Sequence, residues 1–554
     1  MANPIAAAVG TRLERYREIA TVLSRHGLSF IIGATGLERF EPASRLSMPG
    51  TSNPENLRLA LEQLGPTFVK LGQLLSTRSD ILPPDYLAEL AKLQDRAPAV
   101  PGDVIRRLVT TELGDDPDKV FASFTMKPLA SASIGQAHAA TLHDGTRVVV
   151  KVQRPDIATN IAIDLEILHT LAVRASRQWK LAADYNIVGI TDEFSRTLRE
   201  ELDYTHEGRN AEAFAKNFAG DDTIHIPKVY WDTSTTRVLT LERLSGIKVD
   251  DLAALDAAGI DRPAFIMHAV HAVAQMVFVD GLFHADPHPG NLFVEPNGRI
   301  GLIDFGMVGT IDEALRGQLA DLFVALNRTD PDRMAAALTA LSSKKSSIDQ
   351  ESLRVDLSAF IDLYKGRGLG EIDMAALIAK LFTVLRRNRL QLQPEIVMLL
   401  RMLLMIEGMG VLLDPTFNLG DALRPFATKL ALSRFSPAAI AKRLAAAGIE
   451  AAELGIELPD KMRKLFDAID RDGVEVHLRT AELDPLVARV ERVGNRVVAG
   501  VIAAAFIRGI GQLAAADSKK FGSWSGPLMG IGLGASGALS VYIALTSRGK
   551  RDKR

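Results

Sequence analysis

The chain has 554 residues, with 65 Lys and Arg against 67 Asp and Glu, 11 His and no Cys. That length allows two to four domains with ample cores, and a net charge of -2 provides no overall field for nucleic acid or an anionic membrane. The missing cysteines exclude disulfides, thiolate nucleophiles, Cys-bound zinc and Cys-ligated iron–sulfur clusters.

Residues 1–100 read as a helical extension, and its charges at Arg12, Glu14, Arg15, Arg17 and Glu18 speak against a cleavable signal peptide. The stretch contains Lys70-Leu71-Gly72-Gln73 and ends in the proline-bearing linker Ala97-Pro98-Ala99-Val100-Pro101. A mixed small lobe is expected over residues 101–244. Its first loop has a single glycine, Gly135, among Ala130, Ser131, Ala132, Ser133, Ile134 and Gln136. Each Cβ keeps backbone farther from phosphate oxygens than glycine would, so a nucleotide must be held differently here than under a glycine-rich loop.

Asp144-Gly145 predicts a hairpin turn, and the β-branched run that follows predicts a strand carrying Lys151, a candidate phosphate ligand. Residues 157–179 are apolar at helical spacing and fill part of the long step from Lys151 to Glu207 with inserted helix. Glu201, Asp203 and Glu207, taken alone, read as a solvated helix face.

A mostly helical large lobe is expected over residues 245–425, and it holds the most informative segment, His284-Ala285-Asp286-Pro287-His288-Pro289-Gly290-Asn291. Apolar Leu292, Phe293 and Val294 precede the turn signal Pro296-Asn297-Gly298, and Ile300, Leu302 and Ile303 follow it, which predicts a hairpin. Such a hairpin brings Asn291 and the Asp304 of Asp304-Phe305-Gly306 to one end. Two oxygen donors there suit Mg2+, which takes few protein ligands and fills its shell with substrate phosphates. Asp286 stands ready to accept or orient a proton, so the arrangement is the one a kinase uses to hold metal-ATP. A rival reading makes His284, Asp286 and His288 ligands of a hydrolytic zinc or iron. Residues 307–312 run directly into a helical pattern, with no long activation segment and no APE triplet to dock a peptide.

Residues 426–496 read as an amphipathic helical connector. Residues 497–546 are expected to form a membrane hairpin, and 547–554 a basic tail. No charge occurs between Phe521 and Ser547, enough for a span of about 20 residues. Arg508 in the preceding apolar stretch costs about 2.5–3.5 kcal/mol on insertion scales. Gly526, Gly530 and Gly534 permit close approach of another helix, a route to a homo-oligomer. Arg489, Arg492 and Arg496 before the pair and the basic tail after it put both ends on the cytoplasmic side by the positive-inside bias.

Taken together, the alanine-rich loop, HADPHPGN, DFG, Lys70-Leu71-Gly72-Gln73 and Glu201-Leu202-Asp203 resemble the motifs of the UbiB family of atypical kinases, the coenzyme-Q-associated kinase-like proteins. The resemblance implies an α+β, protein-kinase-like bilobal fold with an N-terminal helical extension, inserted helices and a C-terminal transmembrane hairpin. It implies ATP and Mg2+ as cofactors, with Lys151 paired to Glu207 and the phosphates, Asn291 and Asp304 on metal, and Asp286 as catalytic acid/base although Ala285 replaces the usual arginine. The nucleotide would lie under residues 130–136 and meet the backbone of a hinge strand, Arg237 to Glu242 running into Leu244, at Glu242 and Leu244. Lys70 and Gln73 would face Glu201 and Asp203 across the pocket. It further implies a cell-membrane protein with a cytoplasmic catalytic domain that works on or beside membrane lipids, quinone or isoprenoid intermediates and biosynthetic proteins, as a kinase or ATPase supporting quinone or other lipid synthesis. A nucleotide-gated scaffold or lipid-extracting chaperone is the alternative, ahead of a conventional protein kinase, and no nucleic-acid partner is expected.

Overall fold

The computed structural model describes residues 4–37, 53–93, 97–343, 349–364 and 373–433. The chain divides into two compact units, Met1–Ala441 and Lys442–Arg554, and the described residues all belong to the first. The connector beyond residue 433, the membrane hairpin and the basic tail lie outside the described residues.

Alternation along the strand Arg147–Gln153 builds the small lobe. Val148, Val150 and Val152 are fully buried against Ile105, Leu108 and Val109 of the helix Gly102–Leu113 and against Phe121. Each such valine contributes about 1.5–3 kcal/mol. Strand geometry then sends Val149 and Lys151 to the opposite face. The sheet is antiparallel, in the order Ser123–Phe124, Gly135–Thr141, Arg147–Gln153, Val238–Glu242, with Ala130–Ser131 added on Gly135–Thr141. The expected hairpin forms at Asp144–Gly145, where Gly145 N–H donates to the Leu142 carbonyl at 2.9 Å.

Between Lys151 and Glu207 the chain inserts the helices Ile157–Gln178, Lys180–Asp184 and Ile187–Glu201. The N-terminal helices pack on this insert: Ile19, Leu23, Leu61, Leu64, Phe68 and Leu90 share a core with Ile167 and Leu171. The Arg15 guanidinium donates to both Asp164 oxygens, at 2.7 and 3.0 Å. The helix Pro66–Thr77 lays Leu71 and Leu74 against Ile134, Phe194 and Leu198, so the extension covers the alanine-rich loop. Gly72 of the same helix serves the packing inside the extension, since a Cβ there would lie 2.3 Å from a Leu93 methyl.

The large lobe is helical, with Arg262–Gln275, Glu313–Asn327, Pro331–Ala340, Gln350–Asp362, Met374–Arg387 and Pro394–Leu413 supplying most of one continuous core. Asp261, Asp312, Asp330, Asp349 and Asp373 each cap the helix that follows through a side-chain oxygen, worth about 1 kcal/mol apiece, which explains where five of these helices begin. Among the described residues, two helical stretches, Arg262–Asp280 and Pro394–Leu413, are long and apolar enough to cross a membrane by length and composition. Both contribute buried residues to the large-lobe core, among them Phe265, Ile266, Ile396 and Met402. An antiparallel small lobe joined after Glu242 to a helical large lobe is the mixed helix and strand architecture of a kinase-like fold.

Candidate active site

The predicted hairpin forms with strands Leu292–Val294 and Ile300–Leu302, Leu292 facing Leu302. One residue beyond that pair, Ile303 N–H donates to the Asn291 carbonyl at 3.0 Å, which brings Asn291 beside the residue preceding Asp304. Asp304 itself takes the left-handed conformation, φ +63°, where aspartate is better tolerated than most side chains. Its carboxylate receives Gly306 N–H at 3.3 Å and remains half exposed to the cleft.

Lys151 Nζ lies 3.7 Å from Asp304 Oδ1 and pairs directly with the Glu207 carboxylate, so strand, helix and hairpin meet at one ammonium. Glu207 occupies the first turn of the helix Tyr204–Asn217, which starts at Asp203 because that side chain accepts Thr205 N–H at 3.0 Å. Phe214, two turns further along, packs its ring against Phe305 with centroids 5.2 Å apart and the planes tilted by 44°, and Asn210 donates to the Phe305 carbonyl at 2.9 Å. The helix is thereby tied to the Asp304 segment. Burial works against the Lys151 charge, yet Asp304 and Glu207 outweigh it and hold its amine above the usual lysine range. Burial pushes the Glu207 carboxyl up, whereas Lys151 holds the Asp304 carboxyl below the usual carboxylate range. Asp304 is the better metal ligand of the two.

The segment from His284 to Asn291 is knitted by its own backbone. His284 is buried, its Nδ1 accepts Asp286 N–H at 3.2 Å and its Nε2 donates to the Ile303 carbonyl at 3.3 Å. Burial lowers its pKa, and this bonding fixes a neutral tautomer with no lone pair to offer. His288 Nδ1 is likewise taken by Gly290 N–H, at 3.1 Å. The zinc or iron reading of His284, Asp286 and His288 is therefore overturned, and no cluster of three His, Cys, Asp or Glu suited to a metal exists among the described residues. Asn291 Nδ2 donates to the Asp286 carbonyl at 3.1 Å, leaving Oδ1 as its free donor atom. The Asp304 carboxylate and the Asn291 amide oxygen are hard oxygen donors of the kind that would fit Mg2+ held through few protein ligands.

Around this centre the other sequence-selected residues divide. Lys70 pairs with Glu201, so the helix Pro66–Thr77 is pinned to the insert beside the pocket. Gln73 donates to the Leu93 carbonyl at 3.2 Å, and Asp203 serves as the helix cap. Ala130 and Ser131 pair with Ala137 and Gln136, and Ala132, Ser133 and Ile134 complete the loop expected to be the roof of the nucleotide site, Ile134 packing under Leu71 and Leu74. Gln136 is instead buried, its Oε1 accepting Val100 N–H at 2.9 Å and its Nε2 meeting His138 Nε2 at 2.8 Å. Glu242 ends the hinge strand, paired in register with Val148, and Leu244 follows it.

Three contributors escaped the sequence reading. Arg154 holds the roof, donating to the Ala132 carbonyl at 2.8 Å, the Pro98 carbonyl at 2.7 Å and Ser131 Oγ at 2.9 Å. Tyr204 packs its hydroxyl so closely under Gly135 that a Cβ there would lie 2.1 Å from it, which is why the loop's one glycine stands at that position. Arg401, from the helix Pro394–Leu413, donates to Asp286 Oδ1 at 3.3 Å. A lone arginine inside a strongly apolar helix was the available signal for it.

An ABC1 atypical kinase-like domain matches residues 92–338, and a UbiB helical domain matches 357–418, the region that supplies Arg401. The "Probable protein kinase UbiB" of Xanthomonas euvesicatoria is 37% identical over 509 residues, covering 88% of this chain and 91% of its own. The protein of the same name from Xylella fastidiosa is 34% identical over 550 residues, covering 96% and 99%. A solved Mycobacterium tuberculosis protein in complex with erythromycin is similar over 61% of this chain and 92% of its own, at 23% identity and a TM-score of 0.38. With relatives this similar along nearly its whole length, and with a kinase-like domain followed by the UbiB helical domain, the chain belongs to the UbiB family.

Proposed function

We propose that this chain is a membrane-anchored, Mg-ATP-dependent enzyme, an ATPase or small-molecule kinase, that supports isoprenoid quinone or other lipid biosynthesis. The observation that carries the nucleotide reading is the meeting of Lys151 with both Glu207 and Asp304. Two carboxylates share one ammonium, so the cluster keeps an excess negative charge that a divalent cation and its bound phosphates can complete. Lys151 would hold phosphate, Asp304 and Asn291 the Mg2+, residues 130–135 the roof, and Glu242 and Leu244 the edge of the base. When bound, Mg2+ supplies charge neutralisation for the phosphoryl oxygens. Asp286 would accept or orient the proton of the attacking hydroxyl or water, with Arg401 fixing the direction of its carboxylate.

The short passage from Gly306 to the helix Glu313–Asn327 leaves no peptide platform, which favours water or a small acceptor over a protein. The quinone pathway and the partners, namely membrane lipids, isoprenoid intermediates and biosynthetic proteins, come from family membership; the membrane anchor rests on the uncharged C-terminal sequence. Phosphate release by the full chain, with and without lipid vesicles, tests the enzyme reading: turnover in the wild type that is lost in Asp286→Asn supports it, and equal release by both sinks it. A second reading, a nucleotide-gated scaffold, is favoured by one observation. The Asp286 carboxylate is already engaged by Arg401, as it would be if the site held nucleotide without transferring phosphate.

A further inference from the structure

The helix Pro394–Leu413 differs from its neighbour on its outward face. Its inward face gives Met402, Ile406, Met409 and Leu413 to the large-lobe core. The adjacent helix Met374–Arg387 turns Lys380, Thr383 and Arg387 to solvent, the usual amphipathic division. In Pro394–Leu413 the outward positions recur at helical spacing as Arg401, Leu404, Met405, Gly408, Val411 and Leu412, and none after Arg401 carries a polar side chain. Val411 and Leu412 are 48% and 42% exposed, and a Cβ built on Gly408 would meet nothing within 4 Å. The one acid in this stretch, Glu407, is buried on another face, where it accepts Met374 N–H at 3.2 Å. At about 1.5 Å per residue, the open apolar row runs about 16 Å.

The row begins at the residue that touches the candidate catalytic acid. Arg401 donates to Asp286 Oδ1 at 3.3 Å, both side chains are partly exposed, and the apolar positions lead away from that pair along the helix. Apolar surface left in water forgoes hydrophobic stabilisation, so a contiguous exposed row marks a place that something covers. A protein acceptor is disfavoured by the short passage from Gly306 to the helix Glu313–Asn327. Water, or an acceptor polar throughout, would use Asp286 and leave the row bare. An amphiphile uses both, with its hydroxyl at Asp286 and its tail over Leu404, Gly408 and Leu412.

We infer that the outward face of Pro394–Leu413 seats the apolar chain of the phosphoryl acceptor, an alcohol-headed amphiphile whose hydroxyl meets Asp286. This names a substrate class for the site proposed above and rests on that reading. In the transfer, the hydroxyl oxygen forms a bond to the γ-phosphorus of ATP and the bond from that phosphorus to the β,γ-bridging oxygen breaks. ADP leaves with that electron pair, and the hydroxyl proton passes to Asp286.

The test is transfer of the γ-phosphoryl group from labelled Mg-ATP to primary alcohols by the full chain in nanodiscs. Butanol is too short to reach Gly408, whereas the extended chain of dodecanol matches the row. Partition into the bilayer is common to all variants, so comparing them with the wild type reads the protein alone. Each methylene buried tightens binding about three- to fourfold. Leu412→Asp and Gly408→Trp, both at exposed positions, should each raise the half-saturating concentration of dodecanol about tenfold relative to that of butanol, the loss of about two buried methylenes. Thermal unfolding verifies that each variant folds. An unchanged dodecanol-to-butanol ratio in both folded variants overturns the inference, as does a wild type that hydrolyses Mg-ATP without forming an alkyl phosphate. If Leu412→Asp only dissociates a dimer in analytical ultracentrifugation, or only weakens adsorption to lipid vesicles, the row belongs to a second copy or to the bilayer and the inference falls. Absence of Mg-ATP binding in the wild type would defeat the nucleotide reading itself, and this inference with it.

Discussion

Asp304 and Asp286 both lie near His284, but in different company. Asp304 shares Lys151 with Glu207, and all three are fixed by elements of the kinase-like domain: a strand, the helix Tyr204–Asn217 and the hairpin. Asp286 instead takes its partner, Arg401, from the helical domain 115 residues later. The first centre is built to hold charge, since its lysine is outnumbered by carboxylates. The second is built to aim a single carboxylate, and it depends on how the helix Pro394–Leu413 packs. Holding nucleotide and turning it over should therefore separate under mutation.

The largest effect is expected at the first centre. Asp304→Asn keeps a side chain that tolerates the left-handed backbone and so should fold, but removes the anionic metal ligand. Magnesium-dependent nucleotide binding, followed by calorimetry, should be lost. Next, Asp286→Asn should leave that binding within about a factor of three while turnover falls by about 10²–10⁴-fold, the usual contribution of a positioned acid or base. Parallel losses of binding in both variants would erase the distinction between the two centres.

Removing Lys151 tests the charge argument through stability. Lys151→Met leaves Glu207 buried without its cation, at a cost of about 3–5 kcal/mol in denaturant unfolding at neutral pH. The Glu207 carboxyl, already raised by burial, rises further without its lysine. A carboxyl raised in the folded state penalises folding above its unfolded pKa, and the penalty disappears as pH falls. The deficit should therefore shrink on acidification toward the ordinary carboxylate range of about 4. A deficit independent of pH would mean that packing, not charge, was lost. The smallest effect is expected at the roof: Lys70→Ala breaks a pair that is about four-fifths buried and should cost about 1 kcal/mol, with faster nucleotide exchange as the helix Pro66–Thr77 loosens.

The contrast between the two centres also sorts what the sequence could reveal. Lys151 was legible because Val148, Val150 and Val152 alternate with it, and Asn291 and Asp304 because Asn297-Gly298 announces a two-stranded turn between them. These are local signals with short periods. Glu207 carried no such signal; on residues alone it read as one more solvated carboxylate, and its burial comes from the packing of Phe214 and Phe305 in its helix and the hairpin. Arg401, Arg154 and Tyr204 act across long sequence separations and belong to no periodic pattern that points at the cleft. Gln73 and Asp203 carried no signal of their own and were placed at the pocket by family resemblance alone; a backbone carbonyl and a helix N-terminus engage them.

In the proposed function Asp304, Asn291 and Lys151 converge on one magnesium-nucleotide complex. Electron paramagnetic resonance of Mn2+, substituted for Mg2+ and titrated into the full chain with ATP, addresses it most directly. The account predicts a tightly bound Mn2+ signal that requires ATP and is coupled to phosphate phosphorus, absent in Asp304→Asn and weakened in Asn291→Ala. Undiminished Mn2+–ATP binding in both variants would contradict it.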